Sequence, residues 1–503
     1  MTKIKGLVSR GPAKAGHYVL LSALCSLLYL SPLGAQGQER PPAPAKPSQM
    51  KGLAPVSKEV LKIKLPRPAE ADLANGVHLM VLEDHRVPSV SFQIIMMGAG
   101  GYYDPADLPG LADTTASLMD EGTTANTSEQ IAQALDTLAA TVSITASEGS
   151  QIATMSGSAL SDQMDEVLVL AADILLHPKF DEQELARYKA RTRAGLDDQR
   201  GDPDFLASER YSKAIYGNHP ASSTGVTKAS LEKITRDALA AFHKANYVPD
   251  HAIIAVSGDI TLADARAKFE TALKDWPKSG KPRPTVTDPP PTGPTRLYSV
   301  NRPSSVQTNY LLGEQAINRV SPDYEALQVM NTVLGGQNGR LFRVLREEKG
   351  YTYGASSGLR ALRYRGDWRA GMDVRTEVTE ASLRDLLAEL AKMREQPVPA
   401  AELQDAQRSM TASFALSLEN PSEVLNLYVV RQMYAFPADY WDRYADRILA
   451  VTPAQVQAAA RKYLDPTKLQ IVAVGDNSKI EAGLRSFGPV ELYDDEGKAI
   501  PAK

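Results

Sequence analysis

Arg346 and Tyr353 are the side chains best suited to chemistry. They sit seven residues apart in the run Gly339-Arg340-Leu341-Phe342-Arg343-Val344-Leu345-Arg346-Glu347-Glu348-Lys349-Gly350-Tyr351-Thr352-Tyr353. A guanidinium and a phenol aimed at a developing oxyanion stabilise a transition state, and one such donor is typically worth about 3–4 kcal/mol. The same residues also read as a surface ion-pair partner and a sheet-packing tyrosine. Other groups are scattered. Seven histidines (His17, His78, His85, His177, His219, His243, His251) show no ligand-like helical spacing, and His78 and His85 bracket an expected turn. Asp113, Asp120 and Glu121 make a weak carboxylate set, of the kind that normally caps or solvates a helix. Gly354-Ala355-Ser356-Ser357-Gly358 matches a serine nucleophile elbow, but that arrangement needs a later histidine and the last one is His251.

The elements that must position Arg346 and Tyr353 follow from the pattern around them. Asn331 to Gly339 reads as a glycine-rich turn without the lysine of a phosphate loop. Arg340 to Lys349 reads as a helix with Leu341, Val344 and Leu345 inward, and Gly350 as the glycine that ends it. Tyr351 to Gly354 then reads as a strand with Tyr351 and Tyr353 on one face.

The run Leu345 to Gly354 resembles the second-half signature of the pitrilysin/insulinase family of zinc peptidases. The resemblance extends over about Leu61 to Gly488. It implies that Arg346 and Tyr353 reach the substrate near a zinc ion. The family's zinc motif is His-x-x-Glu-His on a helix, two imidazoles for the metal and a carboxylate to activate water. The flanking frame is present as Gly110-Leu111-Ala112 and Gly122-Thr123, but the slots hold Asp113, Ala116 and Ser117. The third ligand should fall near Ala194-Gly195, where Glu184 and Asp197 are the nearest flanking acids of note. The chain is therefore expected to bind no metal or other cofactor. The resemblance implies the non-catalytic subunit of a heterodimeric zinc metallopeptidase, with zinc in a homologous partner subunit and peptides as substrates. A peptide-binding or scaffolding protein of the same fold is the alternative.

Organisation supports a duplicated chain. Offsetting by 217 residues aligns Thr235 with Thr452, Pro249 with Pro466, Gly258 with Gly475 and Asp259 with Asp476. Strand-like runs open the halves at Val87–Met97 and Ser305–Leu312, and Glu380–Arg394 reads as a helix with a leucine stripe. The expected fold class is α+β, two homologous domains forming a clamshell, each a mostly antiparallel sheet with helices packed on one face. The expected boundaries are 59–276 and 297–490, joined by a proline-rich linker at 277–296 and followed by a tail at 491–503.

Lys3, Lys5, Arg10 and Lys14 precede an apolar run from Tyr18 to Leu30, so 1–35 reads as a signal peptide cleaved near Ala35 or Gly37. A proline-rich leader, 36–58, follows. The one cysteine, Cys25, lies inside the signal, which leaves no disulfide or cysteine metal site in the mature chain. A periplasmic location is expected, with no stable membrane anchor. The formal charge of −4 offers no basic excess for nucleic acid.

Overall fold

Two mixed sheets organise the computed structural model, which describes residues 64–282 and 284–501. The expected signal peptide, 1–35, and the expected leader, 36–58, lie outside the described residues. The first sheet runs β1 (Ala69–Asp72), β2 (His78–Glu83), β6 (Ile253–Gly258), β3 (Ser89–Met97), β5 (Ile152–Leu160), β4 (Thr141–Thr145). The second runs β13 (Ala499–Ile500), β12 (Val490–Tyr493), β7 (Arg296–Asn301), β11 (Gln470–Gly475), β8 (Gln307–Gln315), β10 (Asp367–Arg375), β9 (Ala355–Arg360). Only β2–β6, β7–β11 and β7–β12 are parallel pairs. The expected strands at 87 and 305 start two residues late, at Ser89 and Gln307. Val87 is spent on a tight turn in which its carbonyl accepts from the Ser89 N–H. His78 opens strand β2 and His85 lies in the turn after it, so a strand fills most of the stretch where a turn was expected.

Helices in the first half are α1 (Leu111–Met119), α2 (Ser128–Thr137), α3 (Met164–Leu176), α4 (Glu182–Gln199), α5 (Pro203–Tyr216), α6 (Lys228–Lys233), α7 (Arg236–Asn246) and α8 (Leu262–Ala272). The second half has α9 (Tyr324–Gly335), the short α10 (Arg340–Phe342), α11 (Thr379–Glu395), α12 (Ala400–Ser417), α13 (Pro421–Tyr434), α14 (Tyr444–Leu449), α15 (Pro453–Tyr463) and α16 (Asn477–Leu484). Helix α11 buries Leu383, Leu386 and Leu390, as its stripe predicts. One apolar core lies under each sheet's helical layer, built on Phe92 and Phe269 in the first half and on Trp368 and Leu386 in the second.

The duplication is structural. Thr235 and Thr452 both cap a helix, each accepting from the backbone three residues on. Strands β6 and β11 end on Gly258 and Gly475. Each is parallel to the neighbour on one side and antiparallel to the neighbour on the other.

The halves also exchange a helix. Asp202 and Asn420 cap α5 and α13 in the same way, each with a proline at the first helical position. Helix α5 places Leu206, Tyr211 and Ile215 against Tyr298, Val300, Val472 and Val474 of the second sheet. Helix α13 places Val424, Leu425, Tyr428 and Val429 against Met80, Ile95 and Ile253 of the first. Each sheet thus carries its own helices on one face and a single helix from the other half on the opposite face. Each buried apolar side chain in these contacts contributes about 1.5–3 kcal/mol.

The proline-rich stretch is a fastened strap. The Thr287 N–H donates to the Tyr102 hydroxyl, Asp288 accepts from the Arg365 N–H, and the Pro290 carbonyl accepts from Gln315. It ends at Thr295, because Arg296 already belongs to β7. The segment 491–503, expected as a tail, carries most of β12 and all of β13 and extends the second sheet.

Candidate functional site

Helix α1 begins at Gly110, which has φ +86 and packs so close to Val226 that an added Cβ would lie 2.5 Å from the valine Cβ. Asp104 accepts from the N–H groups of Gly110 and Ala112, at 2.7 and 2.8 Å, and so satisfies the start of the helix. Burial pushes the Asp104 carboxyl up to about 6 against those two donors, and the charges of Asp113 and Glu148 add to the rise. Thr114 and Thr115 are buried and return their hydroxyls to carbonyls four residues back.

Positions 113, 116 and 117 share one face of α1, as their spacing requires. Asp113 is half-buried and accepts from the Tyr188 hydroxyl of α4 at 3.3 Å. Its carboxyl is raised by burial and by the Glu148 charge. Ala116 is 1% exposed and presents a methyl group, and Ser117 is half-buried. Around Ala194-Gly195, Glu184 pairs with Arg187 and Asp197 with Lys228. One carboxylate, a methyl and a hydroxyl do not make a zinc site. Among the described residues no group of three metal-ligating side chains converges. Sequence reasoning missed Asp104, Tyr188 and Tyr247 beside these slots. The Tyr247 hydroxyl is buried without a hydrogen-bond partner among the described residues, and its phenol is pushed up by burial and by Asp113 and Asp104.

On the opposite side of the duplication, α10 runs into a π-helical turn, Arg343–Glu348. Such turns are rare and concentrate at functional sites. Arg340 is buried and holds Glu402 through two N–H groups, at 3.0 and 2.6 Å, which anchors the start of the segment. Gly350, at φ +63, closes the far end with its N–H on the Arg346 carbonyl, while the Tyr351 N–H reaches Leu345. Arg346 is exposed, with its guanidinium 4.7 Å over the Phe342 ring and no carboxylate partner among the described residues.

Tyr351 to Gly354 is not a strand, contrary to expectation; β9 starts at Ala355. Thr352 folds the chain locally, its hydroxyl bonding both the N–H and the carbonyl of Gly354. Tyr351 packs on the core, whereas Tyr353 points away and is 90% exposed. The glycine-rich stretch from Asn331 is likewise helical up to Gly335. Ser356 lies within strand β9, so no nucleophile elbow forms. No hydrogen bond, ion pair or ring contact joins Arg346 or Tyr353 to Asp113, Ala116 or Ser117 among the described residues.

Both clusters adjoin a sheet edge. Strand β4 ends the first sheet beside α1, and β9 ends the second just after Tyr353. The turns before these edges differ. Ala139, at φ +47, precedes by three residues Val142, which pairs with Gly157. Gly350 precedes by five residues Ala355, which pairs with Met372. Gly157 and Met372 are each the sixth residue of corresponding strands. Tyr353 occupies the longer turn.

Residues 79–227 match the domain family described as "Insulinase (Peptidase family M16)", and residues 233–410 match "Peptidase M16 inactive domain". A Bacillus subtilis protein named "Uncharacterized zinc protease YmxG" is 24% identical over 398 residues, 77% of this chain and 93% of that protein. A Helicobacter pylori "Non-peptidase homolog YmxG" is 25% identical over 54% of this chain and 62% of its own length. The solved structure of a "peptidase M16 inactive domain" from Pseudomonas fluorescens superposes with a TM-score of 0.75 at 29% identity, over 81% of this chain and 98% of that one. With both halves matched in order and the slots of α1 occupied by Asp113, Ala116 and Ser117, the chain belongs to the M16 insulinase family of peptidases, as a member without the zinc motif.

Proposed function

We propose that this chain is the non-catalytic subunit of a heterodimeric zinc peptidase, lending Arg346 and Tyr353 to the zinc site of a homologous partner. The observation that carries this reading is the contrast between the two clusters. The slots of α1 offer no zinc ligand set, while Tyr353 stands 90% exposed on a turn anchored at both ends by Gly350 and β9. An outward tyrosine, with an apolar ring and a polar hydroxyl, is suited to a surface that another molecule completes. Extended peptides would add to the free edges β4 and β9, where backbone hydrogen bonds give affinity with broad tolerance of side chains. Among the described residues no helix is long and apolar enough to cross a membrane. The amino-terminal basic and apolar runs support export to the periplasm; recovery of the chain in the cytosol with an intact N-terminus would exclude it.

The test is co-expression with an exported homologue that carries His-x-x-Glu-His. The two chains should co-purify and cleave peptides together. Arg346→Ala with Tyr353→Phe should lower kcat about 10²–10³-fold per donor removed, while leaving the complex assembled. Unchanged turnover in the double variant would instead favour the scaffolding reading, which rests on the same free edges without a role for the pair.

A further inference from the structure

The outer face of the first sheet holds an open cavity of about 230 Å³ that none of the preceding chemistry uses. Strand register explains its composition. Thr141, Ser158, Ser91 and Ser257 face one another in a row across β4, β5, β3 and β6. Ser143, Ser156, Gln93 and Ala255 form the adjacent row. Because strand side chains alternate, both rows point away from the core that Val142, Phe92 and Val256 fill. Three interstrand spacings make each row about 14 Å long. Ser422 and Leu425 of α13 form the wall beside β6.

Most of these groups have no hydrogen-bond partner among the described residues. Thr141 and Ser158 share a hydrogen bond of 2.8 Å. Ser257 is only 7% exposed and lines the cavity, yet its hydroxyl has no partner among the described residues. That hydroxyl faces the open cavity, where it can donate to or accept from whatever enters.

We infer that this cavity binds a neutral, hydroxyl-rich small molecule, a mono- or disaccharide. Serine, threonine and glutamine side chains can each donate and accept, which matches sugar hydroxyls in either role. No acidic, basic or histidine side chain lines the cavity. The volume falls below the roughly 300 Å³ at which drug-sized sites begin. The amino end of α13 is close, but it does not make this an anion site. Asn420 already accepts from the Ser422 N–H, and Glu423 occupies the first turn. The second sheet has no equivalent. There α5 lies over β11 and β8, Val474 takes the place of Ser257, and Asn309, in the place of Ser91, is tied to Asp204 and Asp373.

Saturation-transfer NMR on the full chain with glucose, N-acetylglucosamine, maltose and cellobiose tests this directly, with inorganic phosphate as the anionic arm. At least one sugar should receive saturation, and Ser257→Val should weaken its binding tenfold or more. Valine suits a strand position; if that variant does not fold, the exposed Ser143→Val should produce a similar loss. No transfer to any sugar, transfer that survives both substitutions, or binding of phosphate alone would each overturn the inference. None of these outcomes bears on Arg346 or Tyr353.

Discussion

Helix α5 lies over β11, β8 and β7 of the second sheet, whereas its counterpart α13 lies over β6 and β2 of the first and reaches β3 only at its Ile95–Met97 end, leaving the Ser91–Gln93 end of β3 and its neighbours on β5 uncovered. The two helices have the same length and the same kind of N-cap, so the difference lies in the side chains that each helix and sheet bring together. The second sheet presents Asp367 at the start of β10, 0% exposed, where the first presents Ile152 at the start of β5. Asp367 accepts from the hydroxyls of both Tyr211 and Tyr216 of α5, and Arg360 and Arg369 approach to 3.9 and 4.0 Å. A buried polar clamp thus fixes one exchanged helix, whereas the other rests on apolar contact, with polar ties only towards the β1 edge, where Arg431 pairs with Glu70 at 2.5 Å and the Tyr428 hydroxyl donates to the Pro66 carbonyl. Duplication preserved the scaffold and let individual positions decide which faces are sealed.

Removing the clamp is the most severe way to break this contrast. Asp367→Ala strands two buried phenols and an arginine pair, and should cost about 3–5 kcal/mol. Ile152→Ala, at the matching place in the first half, should cost at most about 2 kcal/mol. Urea midpoints decide between them. Equal losses would mean that the clamp contributes no more than ordinary packing.

A second divergent pair sharpens the comparison through pH. Glu314 on β8 stands where β3 has Met96, and both are buried. Burial pushes the Glu314 carboxyl up to about 7 from 4.5, although it accepts the Asp465 N–H. The folded chain therefore holds this proton more tightly than the unfolded chain. The stability it contributes is complete below pH 4.5 and is lost as pH rises through about 7, on the order of 3 kcal/mol in all. Glu314→Gln keeps an acceptor and should flatten that part of the stability–pH curve. A curve of unchanged slope between pH 4.5 and 7 would show that Glu314 is not the group responsible.

The sequence carries these two regions unequally. The shared caps at Thr235 and Thr452, and the strand ends at Gly258 and Gly475, are local signals at fixed spacing, so the duplication was legible. The face carrying Asp113, Ala116 and Ser117 follows from helical periodicity alone. Exchange of α5 and α13 was not legible, because apolar helices do not encode which sheet they cover. The hydroxyl rows depend on register among four strands drawn from distant parts of the chain. Tyr351-Thr352-Tyr353 has strong strand propensity, yet the Thr352–Gly354 turn and the burial of Tyr351 override it, since propensity reports fit to a pleated surface and Tyr353 faces none. The π-helical turn depends on what Arg340 and Glu402 hold in place.

The smallest effect tests the turn that carries Tyr353. Ala139 and Gly350 end corresponding helices in the same left-handed conformation, and an added Cβ at Gly350 meets nothing within 4 Å. Gly350→Ala therefore changes only backbone strain and should cost about 1 kcal/mol. Ala139→Gly relieves the same strain but gives the unfolded chain more freedom, so it should move stability by less than about 0.5 kcal/mol. Thermal melts measure both. The longer turn after Gly350 makes the stability result only half of the test. If that turn aims Tyr353 at a partner's site, Gly350→Ala should depress turnover of the assembled complex well beyond its stability cost, and Ala139→Gly should leave turnover unchanged. Equal effects on turnover would reduce the two turns to a shared helix ending, and the extra residues around Tyr353 would need another explanation.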